Sequence, residues 1–414
     1  MRNREQTLPV ASFDEGALRA KGDICEETRR VCVGLYGESL RAVVLTGSLA
    51  RDEATFVKEG AHWRLLGDAD FFLVFHDGAR QPSHLSADPI GPAIEDVLYG
   101  KGLIASIGLS PVDSSYLCTL TRCIAAYELR TCGRVIWGDR AILSLVPEFK
   151  TAEILLEDAW RLLANRMIEQ LEAVASADQT SDVLSQDAHY CTVKLYLDMA
   201  TSYLAFAGRY LPTYREREQV LRHLAADASS HSDVPFPLRP FSQRVSECTR
   251  FKLEGRGLAG PPRELWEDAV GFAQMLWTWE LKRLNEMSKS SDSKLMVGWM
   301  DEQPVEAKIR GWASVVRRSG WLRSWRQWPR WIRLCRQASP RYWVYNVATE
   351  IFFRLPSLMG HSRSHWEYDP DWKSLTFLLP LPHLADSEPG PLTWQHVARL
   401  TALNYHRFLK STTA

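Results

Sequence analysis

Two stretches decide how this chain reads: Leu45-Thr46-Gly47-Ser48-Leu49-Ala50-Arg51-Asp52-Glu53, and Gly67-Asp68-Ala69-Asp70-Phe71-Phe72-Leu73-Val74-Phe75. In the first, the apolar run Ala42-Val43-Val44-Leu45 stops at a Gly-Ser pair, the pattern of a buried strand that turns into a short helix. Gly47 lets a phosphate approach the backbone, and the Ser48 hydroxyl can donate to a phosphate oxygen. In the second, Asp68 and Asp70 stand two apart at the head of an apolar strand. A period of two puts both carboxylates on one side of that strand. Paired hard oxygen ligands facing a phosphate cradle make a candidate Mg2+ site for a nucleoside triphosphate.

Working outward, residues 14–38 carry helical spacing, and 54–66 read as a hairpin turning at Glu59-Gly60. A helix over 90–100, a strand from Leu103 to Leu109, a helix from Ile124 to Leu129 and a strand at Arg134-Val135-Ile136-Trp137 complete a small α/β unit. Beyond Pro147 the pattern turns helical, with long helices expected over 152–175, 188–208 and 264–287. Ser288 to Ser293 is the candidate linker.

The order of a strand, a Gly-Ser turn and then Asp-x-Asp on the next hydrophobic strand resembles the DNA polymerase β-like nucleotidyltransferase superfamily. The spelling is closest to the small bacterial branches that include aminoglycoside and minimal nucleotidyltransferases. Tyr127-Glu128-Leu129-Arg130 and Gly133 to Asp139 resemble the way such domains close, so the similarity spans roughly residues 40–140. With the helical pattern beyond Pro147 and the candidate linker, it gives an α+β fold class: a small mixed-sheet nucleotidyltransferase domain over 1–147, an all-α domain over 148–290 and a Trp/Arg-rich helical region over 291–414. It further implies two Mg2+ ions on Asp68 and Asp70, with ATP or another nucleoside triphosphate as donor. A hydroxyl on a small molecule or protein would be the acceptor, and pyrophosphate the leaving group. Gly47, Ser48, Arg51 and Glu53 would bind the nucleotide, and Lys194 would reach the triphosphate from the helical domain. Arg51 and Glu53 read equally well as a surface charge pair, and Lys194 with Asp198, four residues on, as a helix-face ion pair.

Three departures stand out. Residues 49–67 separate the Gly-Ser turn from the acids, an interval assigned to the inserted hairpin. Asp52 replaces a glycine that the family favours. The strand Leu103 to Leu109 carries no acid, so Asp113, just past its end, is the candidate third catalytic carboxylate, with Glu128 as the other option. A catalytically inactive nucleotide-binding or protein-interaction module and a nucleotide second-messenger synthase are the alternative functions.

Composition sets the remaining bounds. The 414 residues hold 50 Lys+Arg against 50 Asp+Glu, which excludes a strongly basic nucleic-acid packaging protein. Eight cysteines without a Cys-x-x-Cys pair read as reduced thiols of a cytoplasmic protein rather than a disulfide frame. No apolar run is long enough to span a bilayer, and the opening residues lack a signal-peptide core. Sixteen Trp is unusually many. Five of them, Trp312, Trp321, Trp325, Trp328 and Trp331, fall within 308–341, which holds ten Lys/Arg and no acid. Trp321, Trp325, Trp328, Ile332 and Cys335 align on one face of a continuous helix, with Pro329 positioned to kink it. That face is expected to pack inward. An anionic membrane surface, giving peripheral attachment, or a nucleic acid is the alternative partner.

Overall fold

The computed structural model describes residues 15–79, 81–82, 89–176, 186–227, 233–254, 261–288, 295–360, 370–382 and 392–409. The chain divides into two compact units. Unit 1 gathers Met1–Asp158, Ala207–Ala228 and Ser242–Ala259, and unit 2 gathers Ala159–Phe206, Ser229–Phe241 and Gly260–Ala414. The class is mixed α+β, predominantly helical, with a single small sheet among the described residues.

That sheet lies in unit 1 and has five strands: β1 (Leu40–Leu45), β2 (Thr55–Glu59), β3 (His62–Phe75), β4 (Leu103–Asp113) and β5 (Arg134–Gly138). β3 is its spine. One edge of β3 pairs antiparallel with β2 in its first half and with β1 in its second, while β4 runs parallel along the other edge. β5 adds to β1 antiparallel. The sequence reading separates the hairpin arm His62 to Leu65 from the acid-bearing strand, but the two are one strand of 14 residues. Gly67, at φ +103°, absorbs the join, next to a register irregularity against β4 between Arg64 and Asp68. Asp68 and Asp70 therefore lie inside a strand and not at its head.

Alternation along β3 feeds two cores. Leu65, Ala69, Phe71, Leu73 and Phe75 pack with Ile24 and Cys32 of α1 (Glu15–Tyr36) and with Ile94 and Leu98 of the helix Ile90–Gly100. Val74, with Phe72 beside it, joins Leu117, Ala126 and Leu129 on the opposite face. There the short helices Ser114–Cys118 and Ile124–Cys132 lie. α2 (Gly47–Ala50) follows β1 directly.

The helices of unit 2 are held by aromatic packing. Trp160 stacks on Trp277 at 4.6 Å and meets Tyr345 edge-on at 5.6 Å, while Trp266 and Trp372 are fully buried. Much of the tryptophan content therefore serves as core. The continuous helix expected over 321–335 is not formed. Gly320, at φ +78°, ends the helix Val305–Ser319. A turn of helix (Trp321–Ser324), a 3-10 turn (Trp325–Gln327) and a helix from Trp328 to Gln337 follow. Pro329 starts that last helix rather than kinking it, because its missing N–H falls in the first turn. The break changes which side faces in: Trp331 and Leu334 are buried, and Trp321, Trp325 and Ile332 are exposed. The expected linker at 288–293 falls almost wholly outside the described residues. All eight cysteines are free thiols.

One buried group makes unit 2 pH-sensitive. Glu280, in the helix Pro262–Ser288, accepts from Ser202 Oγ at 2.5 Å through Oε1, while Oε2 has no hydrogen-bond partner. Burial pushes its pKa up to about 8. The folded state thus holds a proton that the unfolded chain releases near pH 4.5. Stability should be greatest at low pH and fall as pH rises toward 8, by about 4 kcal/mol for this group. Glu280→Gln should flatten that decline in a series of thermal unfolding midpoints between about pH 5 and pH 8.

Candidate active site

The turn after β1 is built for close approach. Thr46 is extended, and its N–H donates to the Asp70 carbonyl at 2.9 Å, tying the turn to β3. Gly47 then takes φ +69°, a conformation that side-chain-bearing residues rarely adopt. The Glu53 N–H closes the far end on the Ser48 carbonyl at 2.9 Å.

Asp68 and Asp70 flank the fully buried Ala69 and are both exposed, so the expected alternation holds. A Cβ added to Gly47 would stand 3.4 Å from Asp70 Oδ2, and one added to Gly108 would stand 2.5 Å from Asp70 Oδ1. The Asp70 carboxylate thus occupies a slot between two glycines, one from the turn and one from β4. Gly108 escapes the sequence reading, although a glycine inside a strand is a known sign of close approach.

The register of β4 bears directly on a third acid. Ser106 lies opposite Asp68, and Gly108 lies opposite Asp70. β4 does run on to Asp113, but Asp113 pairs with Phe75, on the other parity. It stands five residues beyond Gly108, about 16 Å along the strand. Its carboxylate caps the next helix, accepting from Tyr116 N at 2.8 Å and Ser115 Oγ at 2.7 Å, and these bonds hold its pKa low. Asp113 is not brought to the aspartate pair. Among the described residues, no group of three or more His, Cys, Asp or Glu side chains is arranged to hold a metal ion. The two aspartates alone suit Mg2+, which commonly takes one or two carboxylates and completes its shell with water and substrate phosphates.

Arg51 and Glu53 are placed by a buried ionic cluster. Arg51 bonds Glu53 through Nε at 3.2 Å, ion-pairs with Glu128 and lies over the Tyr214 ring. Glu128 also pairs with Arg217 and accepts from Tyr210 Oη at 2.6 Å. Glu53 accepts from the Arg215 N–H at 3.2 Å. Arg217 Nε donates to the Leu211 carbonyl at 2.6 Å. Burial opposes the charge on Arg51, but the field of Glu128, Tyr214 and Glu53 prevails and raises its pKa. The charges of Arg51, Glu53 and Glu128 are thus engaged with one another. Tyr210 and Arg217 have no local signal that reveals this, because the pairing partners lie 82 and 89 residues away.

Asp52, at φ +58°, bonds Lys21 and Arg134, which offset its burial and lower its pKa. Lys21, Asp52, Arg134 and Arg215 line a cavity of about 760 Å3, with Leu18 and Phe56 among its apolar walls.

Lys194 belongs to unit 2. Its ammonium lies 4.0 Å from Glu169 and over the Tyr190 ring. The nearby Arg166 charge, followed by burial, lowers its pKa. The expected salt bridge to Asp198 is replaced, because Arg166 Nε from the neighbouring helix takes that carboxylate at 2.6 Å.

No family model matches the chain, and no curated protein is similar to it.

The ionic cluster has a measurable role. Glu128→Ala leaves two buried guanidinium groups without their shared carboxylate, and should lower unfolding stability by about 3–5 kcal/mol, read by chemical denaturation.

Proposed function

We propose that unit 1 is a Mg2+-dependent nucleotidyltransferase of the DNA polymerase β-like kind. It would move a nucleoside monophosphate from a nucleoside triphosphate, with ATP the expected donor, to a hydroxyl of a small molecule or protein. One observation carries this reading. The Asp70 carboxylate sits against the Gly47 turn, with Asp68 two residues before it on the same exposed side of β3.

In that reaction the acceptor oxygen bonds to the α-phosphorus while the bond from that phosphorus to the bridging oxygen of pyrophosphate breaks. The hydroxyl proton passes to a base or to solvent. When bound with the triphosphate, Mg2+ would supply charge neutralisation on the phosphates and a lowered pKa for the attacking hydroxyl. Asp68 and Asp70 would hold it. Gly47 keeps the turn bare of side chain, and the Ser48 hydroxyl is the nearest donor in sequence for a phosphate oxygen. Arg51, Glu53 and Glu128 act behind this site by fixing the exit of the turn through their ion pairs.

A second reading, a nucleotide-binding module without transfer activity, is favoured by one specific feature. The positions on β4 opposite the aspartates hold serine and glycine, and no carboxylate. A second-messenger synthase would differ in yielding oligonucleotide products from triphosphates alone.

Incubation with Mg2+ and each nucleoside triphosphate should release pyrophosphate, and Asp68→Asn or Asp70→Asn should abolish it with the fold unchanged by circular dichroism. Binding without pyrophosphate under all acceptor conditions would select the second reading. Gly108→Ala gives a finer test. The strand backbone tolerates alanine, but the new methyl must displace the Asp70 carboxylate. Unfolding stability should shift by less than about 1 kcal/mol, while Mg2+-dependent nucleotide binding, followed by calorimetry, should weaken ~10-fold or more.

A further inference from the structure

We propose that the segment from Trp321 to Gln337 of unit 2 is a docking face for an anionic lipid bilayer. Three large apolar side chains on it are left in water: Trp321 is 63% exposed, Trp325 61% and Ile332 56%. They stand out because Trp331 and Leu334, from the same stretch, are buried, so the segment has a separate inward side that already packs. Trp331 is further anchored by its Nε1 donating to the Pro380 carbonyl at 2.9 Å. The outward indoles are ordered by neighbours. Trp321 meets Trp328 edge-on at 5.1 Å, and the Arg326 guanidinium lies 5.4 Å over the Trp325 ring.

Charge identifies the occupant. Arg326, Arg333 and Arg336 are exposed on this segment, as are Arg310 and Arg317 on the preceding helix, and residues 308–341 themselves contain no acid. Indoles seat well at the headgroup boundary, where one end is apolar and the other wet, and arginines beside them attract anionic headgroups. No described helix is long and apolar enough to cross a membrane, so the contact is with the surface. A nucleic acid fits less well. Base stacking uses aromatic faces, whereas this patch includes the aliphatic Ile332. Arg330, central in the basic run, is spent on the carbonyls of Phe377, Leu379 and Pro380 at 2.6–2.8 Å. Phe377 is itself exposed and extends the apolar content of this side of unit 2.

Sedimentation of the full chain with vesicles tests the proposal, using phosphatidylcholine alone and phosphatidylcholine mixed with phosphatidylglycerol. Binding should be confined to the phosphatidylglycerol vesicles and fall with added salt. The double substitutions Trp321→Ser/Trp325→Ser and Arg333→Gln/Arg336→Gln should each weaken partition ~10-fold or more. Both alter only exposed side chains, so the unfolding midpoint should stay that of the parent chain. No partition, equal partition to both vesicle types, or partition that neither double variant reduces overturns the proposal. So does binding to single-stranded RNA with the same sensitivity while vesicles remain free. The outcome is separable from the nucleotidyltransferase reading, since Asp70→Asn should leave vesicle binding unchanged.

Discussion

Unit 1 depends on the two-residue alternation of β3. This strand contacts three others, so its pleat fixes which side chains enter the core beneath α1 and which face the shorter helices opposite. The same alternation leaves Asp68 and Asp70 outward while Ala69 is sealed between them. A one-residue slip would bury two carboxylates and expose the apolar set, at a cost no small domain could bear. The placement of the acids and the integrity of the core are therefore one constraint.

Around that spine, space matters as much as charge. Gly47 and Gly108 each leave a gap that the Asp70 carboxylate uses, and the backbone bond from Thr46 to Asp70 holds the turn at that distance. Farther back, the cluster of Arg51, Glu53, Glu128, Tyr210 and Arg217 takes out of water charges that each need an opposite partner. Such clusters add little net stability compared with an apolar core, but they are intolerant of losing one member.

Much of unit 1 was legible in the chain. The Gly-Ser stop after Val43-Val44-Leu45 and the Asp-Ala-Asp alternation are local patterns, and local physics decides them. What escaped was decided elsewhere. The hairpin arm and the acid-bearing strand read as two strands, yet a positive φ at Gly67 carries β3 through a bulge, so they are one. The strand read as ending at Leu109 runs on to Asp113, but Asp113 is on the wrong parity and too far along, which only register reveals. The pairing of Lys194 with Asp198 failed because Arg166, on another helix, competes better. The Trp face failed because it assumed one continuous helix, and the break at Gly320 with the following 3-10 turn rotates the later residues.

The discontinuous make-up of unit 1 has a practical corollary. Glu128 and Arg51 come from the leading part of the chain, whereas Tyr210 and Arg217 arrive after the chain has passed through unit 2. Thr55 likewise donates at 2.6 Å to the carbonyl of Lys252. A fragment ending near residue 147 would retain every strand, the Gly-Ser turn and both aspartates, yet would leave Glu128 with half its counter-charge and the buried Thr55 hydroxyl without its acceptor. Expressing the sheet-bearing segment alone is thus the wrong way to isolate unit 1: the later segments are structural members of the same body, supplied late in synthesis.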